Sequence, residues 1–260
     1  MGTEKLLKPI THKRYITCYC VADLEVGSIP IKDTYGNTIA SISERSKIKL
    51  QIEGTGRLSS GDIVNVVARV GGEMVYTLVP NTAKFGYGIR GKPLEPWSSV
   101  AVNLIDIHSL DLFKRTLILP KLKGFVTPDG KTLDGRFIIH DTGSGLRKCP
   151  YSGGLFRADS EKKCGQVDVF VGSEKVYRGL LGSWETYQDC IVMPTDTYTP
   201  RGIQETLNLL MDSGLKVDGV VGTKTRKAIN DFKHMVGLEE DCIWDDNVKE
   251  IAKLSLENWG

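Results

Sequence analysis

The sequence predicts a mainly β front part, a barrel or sandwich, followed by a small all-α unit of three helices. Three observations carry this. From residue 14 to 190 the apolar residues fall in short β-branched, aromatic or alternating runs separated by turn residues. After Cys190 the apolar spacing becomes helical. Between the two regimes stands a short polar link, Ile191 to Pro200, with prolines at 194 and 200.

The predicted strands follow in order. Tyr15-Ile-Thr-Cys-Tyr-Cys-Val21 is rich in β-branched and aromatic residues. Lys47-Ile-Lys-Leu-Gln-Ile52 alternates polar and apolar, the pattern of a half-buried strand. Asp62 to Arg69 follows a Ser-Ser-Gly turn. Val100 to Ile105, Thr116 to Leu119, Phe137 to His140 and Gln166 to Val171 are further short strands. Turns are expected at Gly71-Gly72, at Pro128-Asp-Gly130 and at Gly143-Ser-Gly145. Many short strands divided in this way favour a closed or double-layered β architecture.

In the helical part Thr199 is placed to cap a helix, with Pro200 at the first helical position, where a missing N–H costs nothing. Ile203, Leu207, Leu210 and Met211 make its apolar face. A second helix starts near Thr223 with Ala228, Ile229, Phe232 and Val236, and a third near Asp245 with Val248, Ile251, Ala252 and Leu256. The last two belong to a weak repeat, Val217 to Thr225 echoed by Glu240 to Val248: a turn, a short apolar plug, a helix.

Bulk composition narrows the function. The chain has 260 residues, 40% hydrophobic and 25% charged, with a net charge of +2. No clustered basic excess marks a nucleic-acid partner. No apolar stretch is long enough to span a bilayer, so membrane insertion is not expected. Lys5, Lys8, Lys13 and Arg14 have no apolar run behind them. No signal peptide is therefore expected: synthesis is cytosolic, or a leader has been lost. Of the six cysteines, Cys18 and Cys20 point to one strand face and are poorly placed to bridge each other. Cys149 and Cys164 bracket one insertion that they could clip; free thiols are the simpler reading for the set. A metal site from Cys18, Cys20, Cys149 and Cys164 is disfavoured because neither pair has C-x-x-C spacing. His12, His108, His140 and His234 are scattered and form no metal or triad pattern, so neither metal nor cofactor is expected.

Two strings carry candidate chemistry. Phe137-Ile-Ile-His-Asp141-Thr-Gly143 sets an aspartate at a strand end before a glycine-rich turn. Gln166-Val-Asp168-Val-Phe-Val171 sets another inside a strand, facing opposite to Val167 and Val169. A carboxyl among apolar neighbours is pushed towards the neutral form that a general acid needs near neutral pH. Either aspartate taken singly reads first as structural, capping a turn or accepting backbone hydrogen bonds.

Together the strings resemble a family. Asp-Thr-Gly followed by Val-Asp-Val-Phe is similar to the three-aspartate domain and to the catalytic domain of the membrane-bound lytic transglycosylase A type, both double-psi β-barrels. Thr17 and Tyr19 resemble part of the family's first strand. Gln51-Ile-Glu-Gly-Thr-Gly-Arg-Leu58 resembles the segment that opens its inserted β-domain, and Ser98 to Asn103 the strand before the second half of the barrel. Asn103 stands where the three-aspartate pattern has its first aspartate, and Asp106 is out of register. Residues 201 to 257 resemble the peptidoglycan-binding type 1 module through Ile203-Gln204, Leu207-Asn208, Val217-Asp-Gly-Val-Val-Gly222, Ala228-Ile229 and Phe232; Cys242 and Trp244 depart from its pattern in the second copy.

The resemblance implies a double-psi β-barrel over residues 1–192 with an inserted β subdomain at about 47–97, a linker at 193–200 and a three-helix wall-binding unit at 201–260. It implies Asp168 as catalytic acid, Asp141 as its supporting aspartate, and Thr17, Tyr19, Thr142 and Gly143 as substrate-binding residues. The implied partner is bacterial peptidoglycan, attacked by a monomer that closes a 1,6-anhydro ring with one carboxyl and no activated water. A cytosolic start joined to a cutter and an anchor resembles a phage endolysin released to the cell wall, or a virion-associated lysin. The alternative is a non-catalytic, expansin-like wall binder or a virion structural protein, because a fold does not by itself settle function.

Overall fold

The computed structural model describes residues 5–80, 83–103, 111–143, 146, 165–180 and 187–259. Asp106, His108, Cys149 and Cys164, with the clip expected between those two cysteines, lie outside the described residues, as does the Ser144-Gly145 part of the expected turn.

Six strands close into a ring. They are β1 (His12–Asp23), β7 (Ser99–Asn103), β8 (Thr116–Ile118), β9 (Arg136–Gly143), β10 (Gln166–Ser173) and β11 (Tyr187–Val192). Their order is β10-β7-β9-β8-β11-β1, and β1 pairs back onto β10. The β1/β10 and β7/β9 pairs are parallel, and the other four are antiparallel. A six-stranded ring is too narrow for a channel, so side chains fill it. Ile16, Val100, Val102, Leu117, Phe137, Ile139, Val167, Val169 and Val171 form this interior, joined by Cys18 and Cys20. The two cysteines do share a face, and Cys18, Cys20, Cys190 and Cys242 are free thiols.

The far end of β1 leaves the ring. Ala22 and Asp23 pair with β4 (Thr55–Arg57), which continues into β5 (Ile63–Val70) and β6 (Glu73–Val79). Gly71 and Gly72, both at positive φ, turn the β5/β6 hairpin, as only glycine does without strain. A second hairpin, β2 (Val26–Lys32) with β3 (Thr38–Ile42), was not legible in the sequence.

One expected strand is a helix. Lys47–Ile52 lies within α1 (Glu44–Glu53). Ser43 caps it by accepting from the Ser46 N–H, and Gly54 ends it in the left-handed conformation. The alternating pattern misled because Ile48 and Ile52 are exposed, leaving Leu50 as the buried anchor. Lysine, leucine and glutamine favour a helix once both ends are capped. A short helix, α2 (Glu174–Leu180), follows β10.

The helical unit follows its expected punctuation. Helix α3 (Pro200–Met211) is capped by Thr199, α4 (Thr223–Val236) ends at left-handed Gly237, and α5 (Asp246–Glu257) is capped by Asp245. Leu207, Ile229, Phe232, Val248, Ile251 and Ala252 form its core. The same cluster takes in Leu7, Ile118 and Ile191 from the β part. The N-terminal segment belongs to this junction, for Ile10 N–H donates to Leu209 O at 2.7 Å and Leu7 N–H to Ser255 Oγ at 3.1 Å.

Candidate active site

A single cross-strand row holds both aspartates. Thr17 on β1 is opposite Asp168 on β10, Asp168 is opposite Ala101 on β7, and Ala101 is opposite Asp141 on β9. Residues paired in this way share a face of the sheet. Val167 and Val169 point into the ring, so Asp168 points out of it. Phe170 and Ala101 on that outer face pack with Tyr19, Val21, Ile63, Val79 and Leu94, so the row looks towards the inserted β5/β6 layer. Two strand spacings, about 10 Å, separate the backbones of Asp168 and Asp141.

A bulge puts Asp141 there. Val100 pairs with Ile139 and Ala101 with Asp141, which leaves His140 as an extra residue on β9. Ile139 points into the ring, and strict alternation would send Asp141 in after it. The extra residue turns Asp141 outward instead. Asp141 therefore lies within β9, which runs on to Gly143, rather than at a strand end before a turn. The His140 side chain goes elsewhere: its Nδ1 is 3.4 Å from Ser99 Oγ, and burial holds its pKa down.

Asp141 is fully held. Its Oδ2 accepts the Tyr19 hydroxyl at 2.9 Å and its Oδ1 accepts the Thr142 N–H at 2.8 Å. Ile89 adds a backbone N–H from the segment that crosses above. Gly88 in that segment lies so close that a Cβ would meet His140 O at 2.4 Å and Asp141 Cβ at 3.1 Å. Burial raises the Asp141 pKa to about 6, against the pull of these donors. Tyr19 is itself buried and packs on Phe170, with ring centroids 5.1 Å apart, and burial beside Asp141 raises its pKa well above the phenol value.

Asp168 is held less. Thr17 bonds its carboxyl and in turn accepts from Gln166 Nε2 at 2.9 Å. The other oxygen, Oδ1, is buried with no hydrogen-bond partner among the described residues. Burial, then the negative charges of Glu53 and Asp141, raise its pKa to about 7. A carboxyl in this state is protonated for much of the time at neutral pH, and its Oδ1 has hydrogen-bonding capacity that no described residue uses.

The remaining expected site residues are placed as follows. The Thr142 hydroxyl donates to Val102 O at 2.9 Å, and Gly143 abuts Leu146, where a Cβ would come within 2.8 Å of Leu146 Cγ. Asn103, at the missing first aspartate, donates from Nδ2 to Leu146 O at 2.6 Å. Sequence reasoning missed Glu53 as a site residue, although it quoted the Glu-Gly-Thr-Gly string that contains it. Among the described residues, no cluster of three or more His, Cys, Asp or Glu has the geometry to hold a metal, and no helix is long and apolar enough to cross a membrane.

No family model matches the chain. A 53-residue stretch, 20% of the chain, is 43% identical to the autolytic lysozyme of Clostridium acetobutylicum, and it spans 16% of that protein. Among solved structures, the Escherichia coli lytic transglycosylase MltA with bound chitohexaose overlaps 70% of this chain and 71% of its own, at 13% identity and a TM-score of 0.44. The lytic transglycosylase LtgG of Burkholderia pseudomallei overlaps 71% and 74%, at 14% identity and a TM-score of 0.38. Scores below 0.5 are too low to assign a fold, so the strand pairing itself defines the architecture.

Proposed function

We propose that the chain is a peptidoglycan lytic transglycosylase, with the six-stranded ring as a double-psi β-barrel and the three helices as a wall-binding unit. The reading is carried by the asymmetry of the two aspartates. Asp141 has both oxygens engaged, whereas Asp168 keeps one buried oxygen with no partner among the described residues and has a pKa near neutrality. A glycosidase that uses water needs two working carboxylates, one as acid and one as base or nucleophile. Here one is available and the other is tied. A single carboxyl suffices when the nucleophile belongs to the substrate.

Asp168 protonates the glycosidic oxygen between N-acetylmuramic acid and N-acetylglucosamine, and the C1–O bond breaks. As carboxylate it then takes the proton of the muramic 6-hydroxyl, whose oxygen bonds to C1 and closes the 1,6-anhydro ring. The acid is regenerated and no water is consumed. Holding the hydroxyl within the same sugar gives it a high effective concentration. Asp141 keeps negative charge near Asp168 and so favours its protonated form.

The motif resemblance and the module-sized likeness to an autolytic lysozyme support a cell-wall substrate. A cutter fastened to a wall-binding unit suits a lysis enzyme of the phage endolysin kind. The test is mass spectrometry of soluble products from purified peptidoglycan treated with the parent or with Asp168→Asn. Anhydro-muropeptides from the parent alone are expected. Reducing-end products would make it a hydrolase, and a protein that pellets with the wall but releases nothing would make it a binder.

A further inference from the structure

One edge of β1 is interrupted beside the aspartates. Tyr15 N–H donates to Gly165 O at the β10 side, so the even-numbered amides of β1 point the other way. On that other edge β11 pairs with residues 12 to 15, and β4 begins only at Ala22, with Leu24 N–H donating to Arg57 O at 2.9 Å. Cys20 falls in the gap. Its N–H donates instead to Glu53 Oε2, at 3.0 Å. Glu53 is the last residue of α1, two before β4, so it stands where a strand residue would otherwise be.

On the opposite edge the ladder shifts at the same level. Tyr19 pairs with Phe170 but Val21 with Ser173, a bulge around Gly172, whose φ is +89°. The stretch of β1 that carries Thr17 and Tyr19 is thus bounded by a gap on one side and a bulge on the other.

We propose that Glu53 is a positioning residue of this site: its carboxylate closes the gap in β1 at Cys20, so that Thr17 and Tyr19 meet Asp168 and Asp141, and it presents a second negative charge to Asp168. The inference rests on Asp168 being the proposed acid. The carboxylate at Cys20 is one that burial disfavours, and Glu174 disfavours it further, while the Cys20 N–H and Lys49 oppose both. Lys49 is on the same helix, with its Nζ 2.9 Å from Glu174 Oε1 of α2. Cys18 of β1 and Tyr177 of α2 also feel Glu53, and burial pushes the Cys18 thiol up to about 12, so it carries no charge near neutrality. Among the described residues, Glu53 and Asp141 are the negative charges that raise the Asp168 pKa. A glutamine at 53 keeps an acceptor for the Cys20 N–H and removes the charge; an alanine removes both.

The test is carboxyl NMR titration of the full chain, with the Asp168 signal identified by its loss in Asp168→Asn, together with hydrogen exchange at the Cys20 amide. In Glu53→Gln the Asp168 midpoint falls and the Cys20 amide stays protected. In Glu53→Ala the midpoint falls and the amide exchanges faster. An unchanged midpoint in Glu53→Gln, or an equally protected amide in Glu53→Ala, overturns the proposal. Product release is read alongside. In an active parent, the alkaline limb of kcat shifts to lower pH in Glu53→Gln. A parent that releases no products would end the enzymatic reading, while the titration would still decide what Glu53 does to Asp168.

Discussion

The Tyr19 hydroxyl donates to Asp141 Oδ2 at 2.9 Å, although the two residues are 122 positions apart and lie on strands at opposite ends of a four-strand row. The bond fixes Asp141 as an acceptor, so that among the described residues the oxygen of the pair without a partner is on Asp168. Tyr19→Phe keeps the ring on Phe170 and removes only the donor. Asp141 then loses a bond that lowers its pKa, so its own titration moves up from about 6. With less charge on Asp141, the Asp168 midpoint moves down. Turnover is expected to fall on the order of tenfold, the usual cost of one lost hydrogen bond to a charged group. A pH–rate profile checks this, and an unchanged profile would mean that the hydroxyl only fills space.

Asp168 should weaken the protein that it equips. Its folded pKa, about 7, lies above the ordinary value of 3.8, so between those values the folded state binds more protons than the unfolded one. Stability then falls as pH rises from about 4 to about 7, and is level above that. Asp168→Asn removes this loss. The variant should be more stable than the parent at pH 8, on the order of 4 kcal/mol, and no more stable at pH 4. Its rate should drop about 10²–10⁴-fold. Denaturant unfolding at the two pH values, with product assays, separates the effects. A variant less stable at pH 8 would show that burial of the charge is not what shifts the group.

What the sequence carried, and what it did not, divides along physical lines. Strong local chemistry was legible: Thr199-Pro200 and Asp245 start helices, Gly71-Gly72 turns a hairpin, and valines around Asp168 send it away from the core. Non-local register was not. No local signal tells that His140 is a bulge, yet that extra residue decides whether Asp141 faces Asp168 or the barrel interior. Glu53 was hidden because its segment alternates like a strand. Only the caps at Ser43 and Gly54 reveal a helix whose last residue reaches β1.

Within the helical unit, Gln204 ties the Val-Asp-Gly-Val loop to α3. Its Oε1 accepts the N–H groups of Asp218 and Gly219 at 3.0 and 2.8 Å, and its Nε2 donates to Asp218 Oδ1 and Val220 O at 2.9 and 3.0 Å. A buried glutamine so fully used is costly to remove: the Gly219 N–H loses its acceptor, and the Asp218 N–H, Asp218 Oδ1 and Val220 O each lose one of their bonds, keeping those with Lys216 O, the Val220 N–H and the Gly222 N–H. Gln204→Leu, close in volume, should destabilise the unit by about 2–4 kcal/mol. Calorimetry measures it, and a loss below about 0.5 kcal/mol would mean that the loop holds itself.

The helical unit is fastened to the barrel by more than a linker. Arg115, beside β8, donates from Nη1 and Nη2 to Glu205 Oε1 and Oε2 of α3 at 3.1 and 3.0 Å, with both side chains buried. Arg115 Nε also reaches Met193 O at 3.0 Å, and Glu205 accepts the Thr195 N–H at 2.9 Å, so one ion pair pins both parts and the chain between them. Breaking a buried pair costs about 3–5 kcal/mol where it strands a charge, and here Glu205 keeps Arg201 Nε at 3.4 Å and the Thr195 N–H, which places the cost at the lower end. Replacing both partners with apolar residues of similar size is close to neutral. Arg115→Met is therefore expected to split unfolding into two transitions, with the junction of Leu7, Ile118 and Ile191 loosened first. Arg115→Met with Glu205→Leu should restore a single transition. Calorimetry of the parent, the single variant and the double variant distinguishes the outcomes. If the single variant unfolds as one unit at the parental temperature, the apolar junction alone joins the two parts.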